Sequence, residues 1–249
     1  MANTINWGQA AVENTIDYGQ GATDNTISWG KSQTLSPSGE TNITGAGGTP
    51  AFTNTLSTTF DGTDDYVDVG DVTSFNNTST FTYSGWYKQT TLDVASFMFG
   101  SYVDANNWIA IYTWSNGINY VAIRKLGTTY YTSFDYSTVV TAGQWFHFVA
   151  VYDGNLSGND KVKLYFDGVL VTLSYIGTMP TSIGVGVNLT NIGKADNFTQ
   201  TWNGSIDEVA VFSTALSQTN VTAIYNLGTP TDISAMSGLV SWWRMGDGS

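Results

Sequence analysis

Carboxylate side chains are the first groups in this sequence that could do chemistry, and their number limits that chemistry. Hydrolysis of a glycosidic bond with retention needs two carboxyl groups about 5 Å apart, on either side of the bond. The chain has three glutamates, Glu13, Glu40 and Glu208, and no two of them share a predicted strand. No pair of aspartates stands out by its spacing. The sequence therefore argues against hydrolysis and predicts a protein that is not an enzyme and has no catalytic residues.

The only histidine, His147, lies between Phe146 and Phe148 in an apolar run. A histidine that acts as a general base must lie at a cleft beside a nucleophile. One inside an apolar strand is usually a packed residue with a satisfied ring, so we predict a structural role for His147. The chain has no cysteine, which excludes disulfides and any zinc site built on cysteine.

Aromatic and amide side chains gather around two predicted turns and could bind a sugar. Aromatic rings stack on sugar rings, and the side chains of Asn and Asp bind the hydroxyl groups. The alternative is that most of these rings fill the core of the domain. The predicted glycan-binding residues are Tyr102, Asp104, Asn106, Asn107, Trp108, Trp114, Asn116 and Asn119.

The composition of the chain favours strands and excludes several partners. Aromatic residues make up 14% of the 249 residues, and they are accompanied by many Thr, Val and Ile, the residue types enriched in strands. The net charge of −12 makes nucleic acid a poor partner. No apolar stretch suggests insertion into a membrane. The first residues lack the pattern of a secretory signal, so we expect either a removed leader or delivery by assembly and lysis.

The first 30 residues repeat a short motif, with copies that begin at Asn3, Asn14 and Asn25. In each copy an Ile and an aromatic residue lie two positions apart and so share one face of a strand. Stacked copies, along one chain or between identical chains, would bury these faces. The alternative is an apolar arm folded against its own domain. The predicted attachment and oligomerisation residues are Ile5, Trp7, Ile16, Tyr18, Ile27 and Trp29.

The composition also predicts where the domains begin and end. Residues 31–53 are rich in Ser, Thr, Gly and Pro, which is typical of a linker. We predict a stem and attachment segment with its linker in residues 1–45, a boundary between Gly45 and Pro50, and one domain in residues 51–249.

The stretch from Gln144 to Val171 predicts two long strands around which the domain packs, with Asp-Gly turns typical of hairpins. Both faces of its first strand carry bulky side chains, so we expect that strand to be covered on both sides. Short alternating runs continue at the spacing of an antiparallel sandwich. The predicted strands are 55–60, 65–69, 80–88, 95–100, 107–114, 118–125, 129–134, 144–152, 161–166, 169–175, 187–193 and 204–212.

The end of the domain predicts one helix and a last strand. Ser217 could cap a helix from Ser217 to Leu227, and Gly228 could end it. The final stretch, Gly238 to Met245, predicts a strand that pairs with the first strand of the domain.

Four stretches resemble the laminin-G-like, concanavalin A-like lectin/glucanase jelly roll: Phe60 to Val67, Phe81 to Lys88, the Asp-Gly turns after Tyr152 and Phe166, and Trp202 to Phe212. The resemblance implies an all-β, antiparallel β-sandwich, here with a β-rich N-terminal repeat stem. The stretch from Gly238 is similar to the opening strand of such domains. At this position it implies a permuted closing strand or the start of a truncated second copy.

The resemblance also bears on enzymes and metals. Relatives of the fold include family-16 glycoside hydrolases, but this chain has no Glu-x-Asp-x-x-Glu strand. The chain does carry aspartates at strand ends and turns, in motifs that the family uses near a structural calcium, and oxygen ligands suit Ca²⁺. The implied ligands are Asp61, Asp64, Asp65 and Asp207, with Asp207 joined by Asp61 or Asp64. The alternative is that these side chains only form turns. No other cofactor is expected.

The N-terminal repeats resemble segments of structural proteins of tailed bacteriophages. This second resemblance implies a non-enzymatic virion protein, a head, neck or tail-fibre appendage or decoration, with a carbohydrate-adhesion domain on the virion surface. The implied partners are copies of itself, in a homo-oligomer such as a trimer, other virion proteins through residues 1–45, and host-surface glycans. The alternative is an extracellular, lectin-like adhesin module on a bacterial cell surface, and the third reading is a glycan hydrolase.

Overall fold

The computed structural model describes residues 52–184, 189–196 and 198–247, together with the backbone of two short strands nearer the N-terminus. The chain divides into two units, Met1–Ala51 and Phe52–Ser249. Within the first unit, Ile27–Trp29 (β1) pairs antiparallel with Gln33–Leu35 (β2). The predicted attachment residues Ile5, Trp7, Ile16 and Tyr18, and the side chains of Ile27 and Trp29, lie outside the described part of the chain.

In its described residues, the second unit consists of strands, three short 3-10 helices and one α-helix. Its helix, Gln218–Tyr225 (α1), comes near the end of the chain. In chain order the strands are Thr58–Asp61 (β3), Val67–Gly70 (β4), Thr80–Gln89 (β5), Ser96–Asp104 (β6), Asn107–Trp114 (β7), Ile118–Lys125 (β8), Thr128–Asp135 (β9), Trp145–Asp153 (β10), Val162–Phe166 (β11), Val169–Leu170 (β12), Ser174–Ile176 (β13), Leu189–Ile192 (β14), Asn203–Phe212 (β15) and Leu239–Trp243 (β16).

These strands form two antiparallel sheets, each with seven strands in the described part of the chain. The back sheet has the order β12-β11-β10-β5-β15-β16, and β3 also pairs with β15. The front sheet has the order β13-β9-β8-β7-β6-β14-β4. The two sheets enclose the main hydrophobic core, to which β7 and β8 contribute Ile109, Ile111, Val121 and Ile123. The structure thus confirms the predicted antiparallel β-sandwich.

Strand β10 lies inside the back sheet, between β5 and β11, as predicted for the strand around which the domain packs. Phe146 and Phe148 face the main core between the sheets. Val149 and Val151 face the other way, into a second cluster with residues of α1. Because both faces are buried, this strand carries apolar side chains at successive positions and not only at alternate ones.

Helix α1 covers the outer face of the back sheet. Ser217 caps it, because its Oγ accepts a hydrogen bond from the Asn220 backbone N–H at 3.3 Å. Val221 and Ile224 are buried against the sheet. The helix ends at Asn226, whose φ of 45° is left-handed, slightly before the predicted end at Gly228. No helix in the described ranges is both long and apolar enough to cross a membrane.

Two strand predictions are wrong, and both errors concern pairing. The predicted strand 169–175 is divided, because β12 pairs with β11 in the back sheet and β13 with β9 in the front sheet. Val171 and Leu173 lie at the break and pack against the core, where the chain passes from one sheet to the other.

The C-terminal strand β16 pairs with β15 and not with the first strand of the domain. Strand β3 pairs with Asn203 to Ile206 of β15, and β16 pairs with Val209 to Phe212. Strands β3 and β16 therefore follow one another along the edge of β15 that faces away from β5. Of the two alternatives for this segment, the structure supports a closing strand of the same domain.

Candidate functional site

A groove lined by aromatic side chains crosses the outer face of the front sheet. Along β7, Ile109 and Ile111 face the core, so the side chains at the alternate positions of the strand face outward. These outward residues are Trp108, Ala110, Tyr112 and Trp114. Helix α1 covers the outer face of the back sheet, whereas this face of the front sheet keeps a depression of about 460 Å³.

Cross-strand pairing explains the shape of the groove. In one row, Arg124 of β8 lies between Trp108 of β7 and Thr129 of β9. Four residues further along β7, Tyr112 lies opposite Tyr120 in a second row, about 14 Å away along the strand. The residues opposite each other between these rows are Ala110 and Ala122. Their small side chains keep the floor low between two ridges of larger ones.

Aromatic rings from several elements form the walls. Tyr112 stacks on Tyr120 at 5.2 Å and on Phe97 at 4.9 Å between ring centroids. Phe198, which follows β14, packs edge to face on Trp108 at 5.6 Å. The residues that line the groove are Trp108, Tyr112, Trp114, Tyr120, Arg124, Thr129, Tyr131, Ile176 and Phe198.

The tyrosine hydroxyls supply polar groups to this apolar surface. Burial raises the pKa of the Tyr112 hydroxyl above its ordinary value, and the neighbouring Tyr131 and Tyr120 add to the shift. This phenol therefore stays protonated at any physiological pH and can both donate and accept a hydrogen bond. The groove combines flat apolar faces with fixed hydroxyl groups, which is the chemistry that binds sugar rings.

Two of the predicted glycan-binding residues, Trp108 and Trp114, line the groove. Trp114 is 41% exposed, whereas Trp108 is largely covered. Tyr102 is half-buried on β6, opposite Trp108 and beside the groove.

The remaining predicted residues belong to the turns and the interior. Asp104 accepts hydrogen bonds from the Asn106 backbone N–H at 2.7 Å and from Asn107 Nδ2 at 3.1 Å, which fixes the turn between β6 and β7. Asn116 accepts from the Ile118 N–H in the next turn. Asn119 is fully buried and donates to the Tyr112 carbonyl. These polar side chains hold the backbone that carries the aromatic rings.

Sequence reasoning missed most of the groove. The unpredicted lining residues are Tyr112, Tyr120, Arg124, Thr129, Tyr131, Ile176 and Phe198. The signal on β7 was available, since large residues recur there at every second or fourth position on one face. The contributions of β9, β13 and the segment after β14 depend on pairing between strands, which the sequence alone does not specify.

The predicted calcium ligands fall into two places. Ligand oxygens of Asp61, Asp64 and Asp65 all lie within 4.8 Å of one another in an exposed turn. Asp65 also accepts from the Asp61 N–H at 3.0 Å, and Asp61 accepts from the Thr63 N–H at 2.7 Å. Three carboxylates at this spacing fit the oxygen ligands that Ca²⁺ prefers.

Asp207 lies too far away to share an ion with this turn, so its assignment to the same site is wrong. Asp61 pairs with Asn203 on β15, and Asp207 follows four residues later, about 14 Å along the strand. Asp207 is buried and accepts from the Glu208 N–H at 2.8 Å. Burial raises its pKa to about 6.

Glu208 joins β15 to the closing strand. Its carboxylate accepts hydrogen bonds from Trp242 Nε1 at 2.6 Å and from Arg244 Nε at 3.3 Å. Burial, and next the charge of Asp207, raises the pKa of Glu208 to about 7. A second depression, of about 290 Å³, lies on the back sheet, and its lining includes Trp86, Trp145 and Asp207.

His147 is packed in the interior, as predicted, but its ring is only partly satisfied, because the buried Nδ1 has no hydrogen-bond partner in the described part of the chain. Its ring is fully buried beside Trp86, with centroids 5.0 Å apart, and its Nε2 lies 2.9 Å from Ser84 Oγ. Burial lowers the pKa of His147 to about 3, so the imidazole is neutral at physiological pH.

Two packed antiparallel sheets, with the helix on one outer face and an aromatic groove on the other, define a jelly-roll β-sandwich domain of the concanavalin A type. Residues 61–222 match the Laminin_G_3 family of the concanavalin A-like lectin/glucanases superfamily. The chain therefore belongs to this family, as its motifs predicted.

Solved structures with the same fold include modules of several larger proteins. Domain 4 of an extracellular arabinanase from Geobacillus stearothermophilus, in complex with arabinotriose, is 22% identical with a TM-score of 0.53, over 68% of this chain and 76% of that chain. The CBM40 module of a Ruminococcus gnavus IT-sialidase, bound to α2,3-sialyllactose, is 15% identical with a TM-score of 0.53, over 68% and 98%.

NanB sialidase from Streptococcus pneumoniae is 21% identical with a TM-score of 0.53, over 68% of this chain and 27% of that chain. At these identities the likeness shows the fold. No curated protein matches this chain by sequence.

Proposed function

We propose that the jelly-roll domain binds carbohydrate in the groove on its front sheet. The observation that carries this proposal is the outward row of β7, where Trp108, Tyr112 and Trp114 all contribute to one concave surface. Aromatic faces pack on the C–H groups of sugar rings, and tyrosine hydroxyls bind sugar hydroxyls. Two structures of the same fold, those with arabinotriose and with sialyllactose, add support.

The groove binds its ligand without cleaving it. Glycosidases of the common mechanisms need two carboxyl groups flanking the bond, and the residues that line this groove include no Asp or Glu. The only histidine is buried away from solvent. We therefore infer a non-enzymatic domain, and cleavage of a β-glucan by the purified protein would contradict this.

A glycan array, followed by calorimetry on the best ligand, tests the proposal. Trp114→Ala removes an exposed ring from the groove, and Tyr120→Ala removes a wall. We expect each change to weaken binding about tenfold, which corresponds to about 1.4 kcal/mol, because each variant loses the packing of a ring on the sugar. Trp145→Ala is the matched control, since Trp145 is 39% exposed in the depression on the back sheet.

Two results would overturn the groove as the binding surface. One is binding that survives Trp114→Ala and Tyr120→Ala but is lost in Trp145→Ala, which would move the site to the back sheet. The other is the absence of binding to any glycan on a broad array by the folded protein.

We further propose that the domain is displayed on the surface of a bacteriophage virion, as part of a head, neck or tail appendage. The support is the N-terminal repeat, which suits attachment to virion proteins and self-association, and the net charge of −12, which disfavours contact with packaged nucleic acid. A trimer joined through residues 1–45 would present several grooves to host-surface glycans, and such multivalency raises weak affinities. A secretory signal in a longer precursor would favour an extracellular adhesin instead.

For the metal, we propose that the turn of Asp61, Asp64 and Asp65 holds one structural Ca²⁺. Its support is the convergence of the three carboxylates in one short turn and their oxygen chemistry. The ion would neutralise like charges that otherwise repel one another.

A further inference from the structure

Arg124 is the one charged residue among those that line the groove. Its Nη1 donates a hydrogen bond to Thr129 Oγ1 at 3.0 Å, which holds the guanidinium in the row between Trp108 and Thr129. Its Nε is buried and has no hydrogen-bond partner in the described part of the chain. The ion pair found among the described residues, Arg244 with Glu208, lies elsewhere, so no described carboxylate balances the charge of Arg124.

An unbalanced guanidinium in a partly buried position is unfavourable. A buried donor without an acceptor is unfavourable, and more so when the group is charged. Proteins therefore place an acidic partner beside a buried arginine in most cases. Here the neighbouring side chains are aromatic or hydroxyl groups, so the missing acceptor is one that a ligand could supply.

The bond to Thr129 uses neither of the two nitrogens on the guanidinium edge best suited to a carboxylate. In arginine, the Nε–H and an N–H of Nη2 point the same way and match the two oxygens of a carboxylate. Thr129 occupies the other terminal nitrogen, Nη1. Because Nε is buried, the side chain would have to rotate for a carboxylate in the groove to accept hydrogen bonds from both Nε and Nη2.

We propose that the groove is selective for acidic glycans whose sugar carries a carboxylate, and that Arg124 pairs with that carboxylate while the rings hold the sugar. This inference rests on the proposed function and names its ligand class. A single planar cation fits a single planar anion, whereas a polyanion would be repelled by the net charge of −12. A pair formed in the groove is partly shielded from water, so salt screens it less than it screens the surface charges.

Matched sugars that differ only in the carboxylate test the inference on the full chain. We would measure binding of monomeric galacturonate and of sialyllactose, each against its own methyl ester, by calorimetry. We expect at least one carboxylated member to bind about tenfold or more tightly than its neutral partner. In Arg124→Gln the ratio of the two affinities should fall to about one, and Arg124→Lys should keep part of the preference.

Lys163→Gln is the control for charge alone, because Lys163 is an exposed residue of β11 in the back sheet. It should leave both affinities unchanged, and the melting temperature of each variant checks its folding. Equal affinity for acidic and neutral partners, equal losses in Arg124→Gln and Lys163→Gln, or tighter binding of a sulfated oligosaccharide would each overturn the inference. Binding of the neutral sugar that depends on Trp114, with no preference for the acidic sugar, would contradict this inference but not the proposed function. The absence of binding to any sugar would contradict both this inference and the proposed function.

Discussion

Several buried polar side chains in this domain bond to a particular partner, and some of these bonds join the two sheets. Gln89 of β5, in the back sheet, donates to Thr113 Oγ1 of β7, in the front sheet, at 3.1 Å. Its carbonyl oxygen accepts from the Tyr136 hydroxyl at 2.7 Å. Such bonds add little net stability but fix one arrangement of the sheets, because leaving them unmade in the interior is costly. His147 is another buried polar side chain with such a bond, between its Nε2 and Ser84 Oγ within the back sheet.

His147 should make the stability of the domain depend on acid. Its pKa is about 3 in the folded protein and 6.5 when exposed, so below pH 6.5 the unfolded chain takes up a proton that the folded chain does not. The free energy of unfolding should therefore fall between about pH 6.5 and 3, by up to about 1.4 kcal/mol per pH unit from this group. Urea unfolding of the parent and of His147→Gln across this range measures it. The stability advantage of the parent should shrink as the pH falls, and an advantage independent of pH would contradict the buried neutral ring.

The acidic turn allows metal binding to be separated from turn formation. The carboxylates of Asp61 and Asp65 accept hydrogen bonds from backbone N–H groups and so hold the turn. Among the described residues, no group donates a hydrogen bond to the Asp64 carboxylate. Calcium should raise the melting temperature of the parent and not that of Asp64→Asn. At 100 times the dissociation constant the gain is about 2.7 kcal/mol. Asp160→Asn, at another exposed carboxylate, is the control, and a melting temperature unaffected by calcium or chelator would refute the site.

At the level of the elements, β15 links three other strands of the back sheet. It pairs with β5 along one edge and with both β3 and β16 along the other. A bulge interrupts it at Glu208, whose φ is 49°. The bulge turns this carboxylate toward Trp242 and Arg244 at the C-terminal end of the chain.

Removal of residues 238–249 should destabilise the whole domain. The truncation exposes the edge of β15 and leaves the buried Glu208 carboxylate without its two donors, and breaking such a buried pair costs about 3–5 kcal/mol. We expect a large drop in melting temperature and aggregation through the open edge. Deletion of the last two residues is the control. A truncated protein that melts like the parent would mean that β16 is an accessory strand.

The positions of the strands were predictable, because each strand carries its own alternating pattern of side chains. The pairing between strands was not predictable from the sequence. The alternation along β7, β8 and β10 gave their bounds to within a residue, and Ser217 gave the start of α1. Nothing in residues 169–175 showed that the chain would leave one sheet for the other. Nor did the sequence place Arg124 beside Trp108, because that contact depends on the register of two strands. The Asp and Asn residues assigned to sugar binding are common in turns for a different reason, their bonds to the backbone.

For the whole molecule, we expect the N-terminal unit, and not the jelly roll, to drive self-association. Light scattering gives the solution mass of the full chain and of a version that begins at Thr49, and so tests this. A trimer or larger assembly that becomes a monomer on truncation would support the oligomerising stem, since stacked repeats bury their apolar faces between chains. Two monomers would contradict self-association through the stem and would favour the extracellular adhesin.

The two ends of the jelly roll meet at one point. The Asp247 carboxylate accepts hydrogen bonds from the Thr55 backbone N–H at 2.8 Å, from its hydroxyl at 2.9 Å and from the Leu56 N–H at 3.1 Å. A short peptide could join these ends, and the chain could then be opened at a surface turn without parting any paired strands, which is the condition for circular permutation. For the same reason the domain could be carried as an insertion within a loop of a host protein, entering and leaving through two adjacent residues.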